Sequence, residues 1–197
     1  MSYGTSFTSW RAGATPAWQA YTRHAFVEGI RIGTLPRTAF LHYLVQDYVF
    51  LVHFSRAWSL GVVKAETLEE MKVCAGTGDA LVNHEMALHV QTCAAEGISE
   101  TTLFNAAEEV ENLAYTRYVM DAGVSGDFLD LMAALAPCVM GYGEIGARLA
   151  LGRATDTPYE HWINTYAGSE YQEVCQTVGQ MIAAAAALRL GATPQTT

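Results

Sequence analysis

Apolar residues recur along this chain at intervals of three and four, the period of a helix with one face turned inward, and runs that alternate as strands do are hard to find. The pattern predicts an all-α protein of about five to seven helices. Breaks are expected at Gly33-Thr34-Leu35-Pro36, around Gly76-Thr77-Gly78, at Gly97, across Gly123 to Gly126, from Gly152 to Pro158 and at Gly168, with some of these glycines interior to helices. Thr67-Leu68-Glu69-Glu70 fits a capping box, in which the Thr hydroxyl and the Glu carboxylate satisfy each other's orphan N–H groups. No repeat of fixed period and no Pro/Gly/Ser-rich linker appears, so one domain over residues 1–197 is expected, with Ala192 to Thr197 its one loose end.

Three inward seams can be written out. From about Pro36 to Trp58 the apolar line is Phe40, Leu44, Asp47, Leu51, Phe54 and Trp58, at spacings that keep every member on one face. Asp47 thus points where leucines point. A carboxylate there must be hydrogen-bonded, paired or protonated, and serves either as a structural tie to a neighbouring helix or as a ligand-facing group. After Gly126 a second seam runs Leu131, Leu135, Cys138, Tyr142, Ile145, Leu149. Pro137, in the middle of this helix, removes an N–H and crowds the carbonyl of Ala133, so local kinking is expected. A cysteine on such a seam is ordinarily an inert small hydrophobe; the adjoining proline and the polar Tyr142 one turn on leave a reactive thiol as the alternative.

The third seam reads Met71, Cys74, Gly78, Leu81, Glu85, Leu88, with His89 four residues after Glu85 and His84 beside it. A buried Glu–His pair is one reading and a metal site the other, although bundle metal sites use Glu-x-x-His rather than Glu-x-x-x-His. Tyr115, Tyr118, Tyr142, Trp162, Tyr166 and Tyr171 supply aromatic surface for a core, or for a pocket that takes a flat ring.

Composition narrows the function classes. With 51% apolar and 16% charged residues the chain can bury a large core. The formal charge of -9, from 11 basic and 20 acidic residues with no Lys/Arg cluster, excludes phosphate-neutralising contact with nucleic acid and disfavours anionic membranes. The N-terminus MSYGTSFTSWRAG lacks a signal pattern, and no uninterrupted apolar run approaches the ~20 residues that span a bilayer, so a cytoplasmic protein is expected. Cys74, Cys93, Cys138 and Cys175 show neither C-x-x-C nor zinc spacing.

Four segments, in order, carry a family resemblance: Gly33-Thr-Leu-Pro36 followed by Tyr43, Gln46-Asp47-Tyr48 and His53-Phe54; Glu85-Met-Ala-Leu-His89; Ala136-Pro-Cys138 with Tyr142 and Glu144; and Trp162-Ile-Asn-Thr-Tyr166. The chain resembles TenA proteins, also called thiaminase II, over about residues 5 to 185. The resemblance implies a heme-oxygenase-like helical bundle, a homotetramer, and no metal or cofactor. It implies hydrolysis of 4-amino-5-aminomethyl-2-methylpyrimidine, or of thiamin, by cysteine covalent catalysis. Cys138 falls on the nucleophile and Asp47 on the carboxylate that holds the exocyclic amine and adjacent ring nitrogen. Tyr115, Tyr142 and Tyr166 fall on pocket tyrosines, and Phe50 where relatives often have tyrosine.

The resemblance further implies a C-terminal helix with a general-acid glutamate that the sequence to Thr197 does not match. Without that helix a pocket open on one side is expected, and neither Glu144 nor Glu170, off the inward seam beside Cys138, takes over the acid's role. Two rival readings stand: a metal-dependent oxidase built on Glu85, His84 and His89, and a non-catalytic pyrimidine-binding regulator, since family members have been labelled transcriptional activators.

Overall fold

Every element is helical among residues 2–191, which are those the structure, a computed structural model, describes. In chain order they are α1 (Thr5–Gly13), α2 (Thr15–Thr22), α3 (Ala25–Ile32), α4 (Arg37–Lys64), α5 (Leu68–Ala80), a π-helical turn (Leu81–Glu85), α6 (Met86–Ala95), α7 (Glu100–Phe104), α8 (Val110–Ser125), α9 (Phe128–Gly152), α10 (Glu160–Ala167) and α11 (Ser169–Leu190). The all-α expectation holds; the expected number of helices was too low. The N-terminal stretch is cut at Ala14, because Pro16 in the first turn of α2 cannot continue a preceding helix. The short α7 adds another. Gly76 and Gly78 do not break the chain but lie inside α5, where neither makes a close contact that a β-carbon would prevent. The expected loose end, Ala192 to Thr197, lies outside the described residues.

The chain divides into two compact units, one formed by residues 36–134 and the other by residues 1–35 with 135–197. In the first, α4 is the axis on which α5, α6, α7 and α8 pack. Its inward line is as the spacing predicts: Phe40, Leu44, Leu51, Phe54 and Trp58 are all buried, and Trp58 meets the Phe54 ring edge-on at 6.0 Å. Full burial of each such side chain stabilises by about 1.5–3 kcal/mol. The capping box is formed. Glu70 N–H donates to Thr67 Oγ1 at 3.2 Å, and Thr67 N–H and Glu66 N–H donate to the Glu70 carboxylate at 3.2 and 2.8 Å.

The third seam is corrected in two places, at Met71 in α5 and, through the π-helical turn, at Leu88. Met71 and Leu88, assigned inward by regular spacing, are 40% and 49% exposed. The inward line instead runs Leu81, Glu85, His89, Cys93. One extra residue in the turn rotates the following helix, so that intervals of four replace the expected four and three.

In the second unit, α11 packs on α1 and α10. Gly179 permits the closest approach: a β-carbon there would stand 1.8 Å from the Tyr3 carbonyl oxygen. Gln172 is buried and uses its whole amide, accepting from Tyr3 Oη at 2.7 Å and donating to the carbonyls of Gly143 and Tyr166 at 3.0 and 2.8 Å. α9, which starts in one unit and continues into the other, is long and apolar enough to cross a membrane by length and composition. Since 67% of that stretch is buried inside the protein, it serves as a core helix.

Candidate functional site

Asp47 is a nearly buried carboxylate, its side chain 11% exposed. Tyr43, one turn earlier on α4, donates to Oδ2 at 3.3 Å. His89 of α6 brings Nδ1 to 3.6 Å from the same oxygen, while its Nε2 lies 2.7 Å from the Leu44 carbonyl. A carbonyl only accepts, so Nε2 carries the proton and Nδ1 faces Asp47. Burial pushes the Asp47 carboxyl from its ordinary 3.8 up to about 7, against the lowering effect of the Tyr43 bond. Glu85 is also raised to about 7, by burial first and by the charge of Asp47 second, with His89 opposing. His89 is lowered, chiefly by burial. His84 points to solvent. Among the described residues no three His, Cys, Asp or Glu side chains form a set that could hold a metal ion.

Farther along α4, Phe50 stacks on Tyr115 of α8, with ring centroids 5.8 Å apart and planes 12° from parallel, and on Phe54 at 5.1 Å. The Tyr115 hydroxyl donates to the Ala134 carbonyl at 2.9 Å. Phe50, His53, Phe54, Thr116 and Val119 line a small cleft. Two of the expected aromatic residues, Phe50 and Tyr115, are therefore one stack.

In the other unit Cys138 is the half-buried thiol, whereas Cys74, Cys93 and Cys175 are fully buried and none of the four is in a disulfide. Burial pushes Cys74 and Cys175 to about 12 and Cys93 to about 11, which leaves them inert at neutral pH. Tyr21 is a neighbour the sequence reading missed. Its hydroxyl donates to the Pro137 carbonyl at 3.3 Å, and its acidity is pushed far below that of an ordinary tyrosine by burial and by the nearby Cys138. Its ring fills the space that a β-carbon on Gly141 would need, 2.5 Å from Cε1. On the other side of Cys138, the Val139 carbonyl accepts from Tyr171 Oη at 3.2 Å and from Cys175 Sγ at 3.4 Å. The carbonyls flanking the cysteine are thus tied from α2 and α11. The available signal was a glycine in a helix interior three residues after Cys138, which marks a close approach.

Tyr142 and Tyr166, expected together, meet at 4.8 Å in a T-shaped pair. Trp162 and Tyr171 extend the cluster, each against Tyr166 at 4.7 and 4.9 Å. Glu144 is committed elsewhere, to Arg11 Nη1 at 2.7 Å and Trp18 Nε1 at 3.2 Å, and Glu170 is exposed.

The model of the TENA/THI-4/PQQC family matches residues 11–191. The chain belongs to that family. Among its relatives, an uncharacterized protein of Haemophilus influenzae is 42% identical over 83% of this chain and 76% of its own length. An aminopyrimidine aminohydrolase of Halalkalibacterium halodurans is 36% identical over 86% of this chain and 76% of its own. A solved TenA family transcription regulator from Silicibacter sp. TM1040 is 60% identical and superposes with a TM-score of 0.95, covering 98% of this chain and 87% of that one. The fold is TenA-like.

Proposed function

We propose that this TenA-family protein is an aminopyrimidine hydrolase that converts 4-amino-5-aminomethyl-2-methylpyrimidine and water to the 5-hydroxymethyl pyrimidine and ammonia, and cleaves thiamin by the same route. The observation that carries the reading is Asp47: a nearly buried carboxyl on an otherwise apolar helix face, held by Tyr43 and able to change charge near neutral pH. Such a group meets the amino nitrogen and adjacent ring nitrogen of an aminopyrimidine and draws electron density from the ring. Kinship to aminopyrimidine aminohydrolases supports the same substrate class.

In the proposed chemistry the Cys138 thiolate adds to a ring carbon and breaks the aromaticity. The amine on the exocyclic methylene leaves with a proton as ammonia, water adds to the methylene, and expulsion of the thiolate restores the ring. Phe50, Tyr115, Tyr142 and Tyr166 supply aromatic surface for the flat ring. We assign the reaction to a homotetramer in the cytoplasm. Free cysteines support the cytoplasmic part of that assignment, and light scattering checks the mass.

Turnover of the aminomethylpyrimidine and of thiamin, followed by chromatography of the hydroxymethyl product with Cys138→Ser as control, tests the proposal. Product formed only by the unsubstituted protein is the expected result. No product from either compound would instead favour a non-catalytic pyrimidine-binding regulator.

A further inference from the structure

Asp47 has more polar company than one carboxylate needs. Tyr43 alone would satisfy a hydrogen bond to it. The chain nevertheless departs from regular α-helix at Leu81–Glu85, and the extra residue puts His89, rather than Leu88, on the inward line next after Glu85. His89 is fixed in one tautomer by its 2.7 Å bond to the Leu44 carbonyl, which leaves a bare nitrogen aimed at Asp47 Oδ2 from 3.6 Å. The titratable groups around Asp47 are Tyr43 on its own helix, Glu85 on the π-helical turn, and His89 and Cys93 on α6. Among the described residues no Lys or Arg joins them.

A 4-aminopyrimidine edge presents an N–H donor beside a ring-nitrogen acceptor. A carboxylate offers two acceptors and matches only the donor. A neutral carboxylic acid offers one acceptor and one O–H donor and matches both. We propose that Glu85 and His89 are positioning residues for Asp47: they keep a proton in the Asp47–His89–Glu85 cluster, so that Asp47 meets the pyrimidine as the neutral acid. The proton rests on Asp47, whose O–H faces the bare Nδ1 of neutral His89, and the same O–H turns to the ring nitrogen when the pyrimidine binds. The raised values of both carboxyls, with no permanent cation beside them among the described residues, fit a cluster that retains its proton near neutrality.

The proposal rests on the reading that Asp47 binds an aminopyrimidine, and the test separates the two. Affinity for the product, 4-amino-5-hydroxymethyl-2-methylpyrimidine, is measured by titration calorimetry from pH 5.5 to 9 in buffers of different ionisation enthalpy. The unsubstituted protein should lose affinity above pH about 7 by roughly tenfold per unit, and binding at pH 8.5 should take up close to one proton. Glu85→Gln removes a neighbouring negative charge and should move the fall to lower pH by about one unit. His89→Asn removes the bare nitrogen that faces the Asp47 O–H and should move the fall in the same direction. Asp47→Asn keeps a donor and an acceptor, and should bind with a flat profile, whereas Asp47→Ala should bind at least about tenfold more weakly. A purely structural role for Glu85 and His89 would weaken affinity at every pH and leave the profile in place, and that result overturns the proposal. Lack of proton uptake by the unsubstituted protein overturns it without any variant. Equal affinity in Asp47→Ala overturns the underlying reading instead.

Discussion

The aromatic ring of Tyr21 lies where a β-carbon on Gly141 would be, with Cε1 and Oη 2.5 and 2.7 Å from that point. Alanine in place of an interior helical glycine normally stabilises by roughly 0.5–1 kcal/mol. At this position the sign should reverse. Gly141→Ala must push Tyr21 off the Pro137 carbonyl, and overpacking of this kind costs about 1–3 kcal/mol. Urea unfolding should show net destabilisation of Gly141→Ala, while the double variant Tyr21→Ala/Gly141→Ala should show no further loss from the second substitution. A Gly141→Ala protein more stable than the parent would show that Tyr21 does not hold this seat.

Replacing Cys138 by serine should lower turnover by at least about 10³-fold, because a hydroxyl near neutral pH is a far weaker nucleophile than a thiol. Stability should change by less than about 1 kcal/mol, since the side chain is half-buried and the change is small. Cys93→Ala and Cys175→Ala are expected to keep the chemistry, at a cost in stability. Steady-state rates and thermal melts on the three proteins decide between a nucleophile and a packing residue.

The raised carboxyls predict a pH dependence of stability with a definite sign. Asp47 and Glu85 hold protons up to about 7 in the folded chain but only to ordinary carboxylate values when unfolded. Between pH about 4 and 7 the folded state therefore binds more protons, so their contribution to stability is fully present at low pH and is lost as pH rises to 7. His89, lowered by burial, works in the opposite sense below its ordinary value. The difference between the parent and Asp47→Asn isolates one carboxyl: the parent should lose on the order of 2–4 kcal/mol relative to the variant from pH 4.5 to 8. Parallel stability curves would mean that Asp47 is not raised.

Gln172→Leu should be among the more damaging single changes in its unit. It removes the acceptor of the buried Tyr3 hydroxyl and the amide donor to the carbonyls of Gly143 and Tyr166, and leaving a buried polar group unsatisfied costs roughly 1–3 kcal/mol. Gln172→Glu, which keeps the acceptor but not the amide donor, should lose less from Tyr3 and more from the two carbonyls. Equilibrium unfolding of both variants gives the comparison, and a loss below about 1 kcal/mol in the leucine protein would contradict it.

What spacing encodes locally was legible. The α4 line through Asp47 and the α9 line through Cys138 follow from regular intervals, and the Thr67 capping box follows from residue types three apart. The turn at Leu81–Glu85 was not legible. Nothing in Leu-Val-Asn-His-Glu distinguishes a π-helical turn from an α-helical one, so Leu88 took the inward place that belongs to His89. Tyr21 was hidden for a different reason. Its partner Pro137 lies 116 residues away, and periodicity carries no information about which distant ring fills the notch at Gly141. The composite fate of α1 and α2 could have been read from Pro16, whose position marks a helix start.

The contact of Tyr3 with Gly179 sets an order of events during synthesis. Residues 36–134 form a unit from one unbroken stretch, so its helices can pack as soon as they leave the ribosome. The first thirty-five residues emerge before them yet belong with residues 135 onward. Tyr3, buried in the finished protein against Gly179 and Gln172, must wait until α11 has been translated. A segment translated ahead of residues 36–134 therefore completes its packing after them.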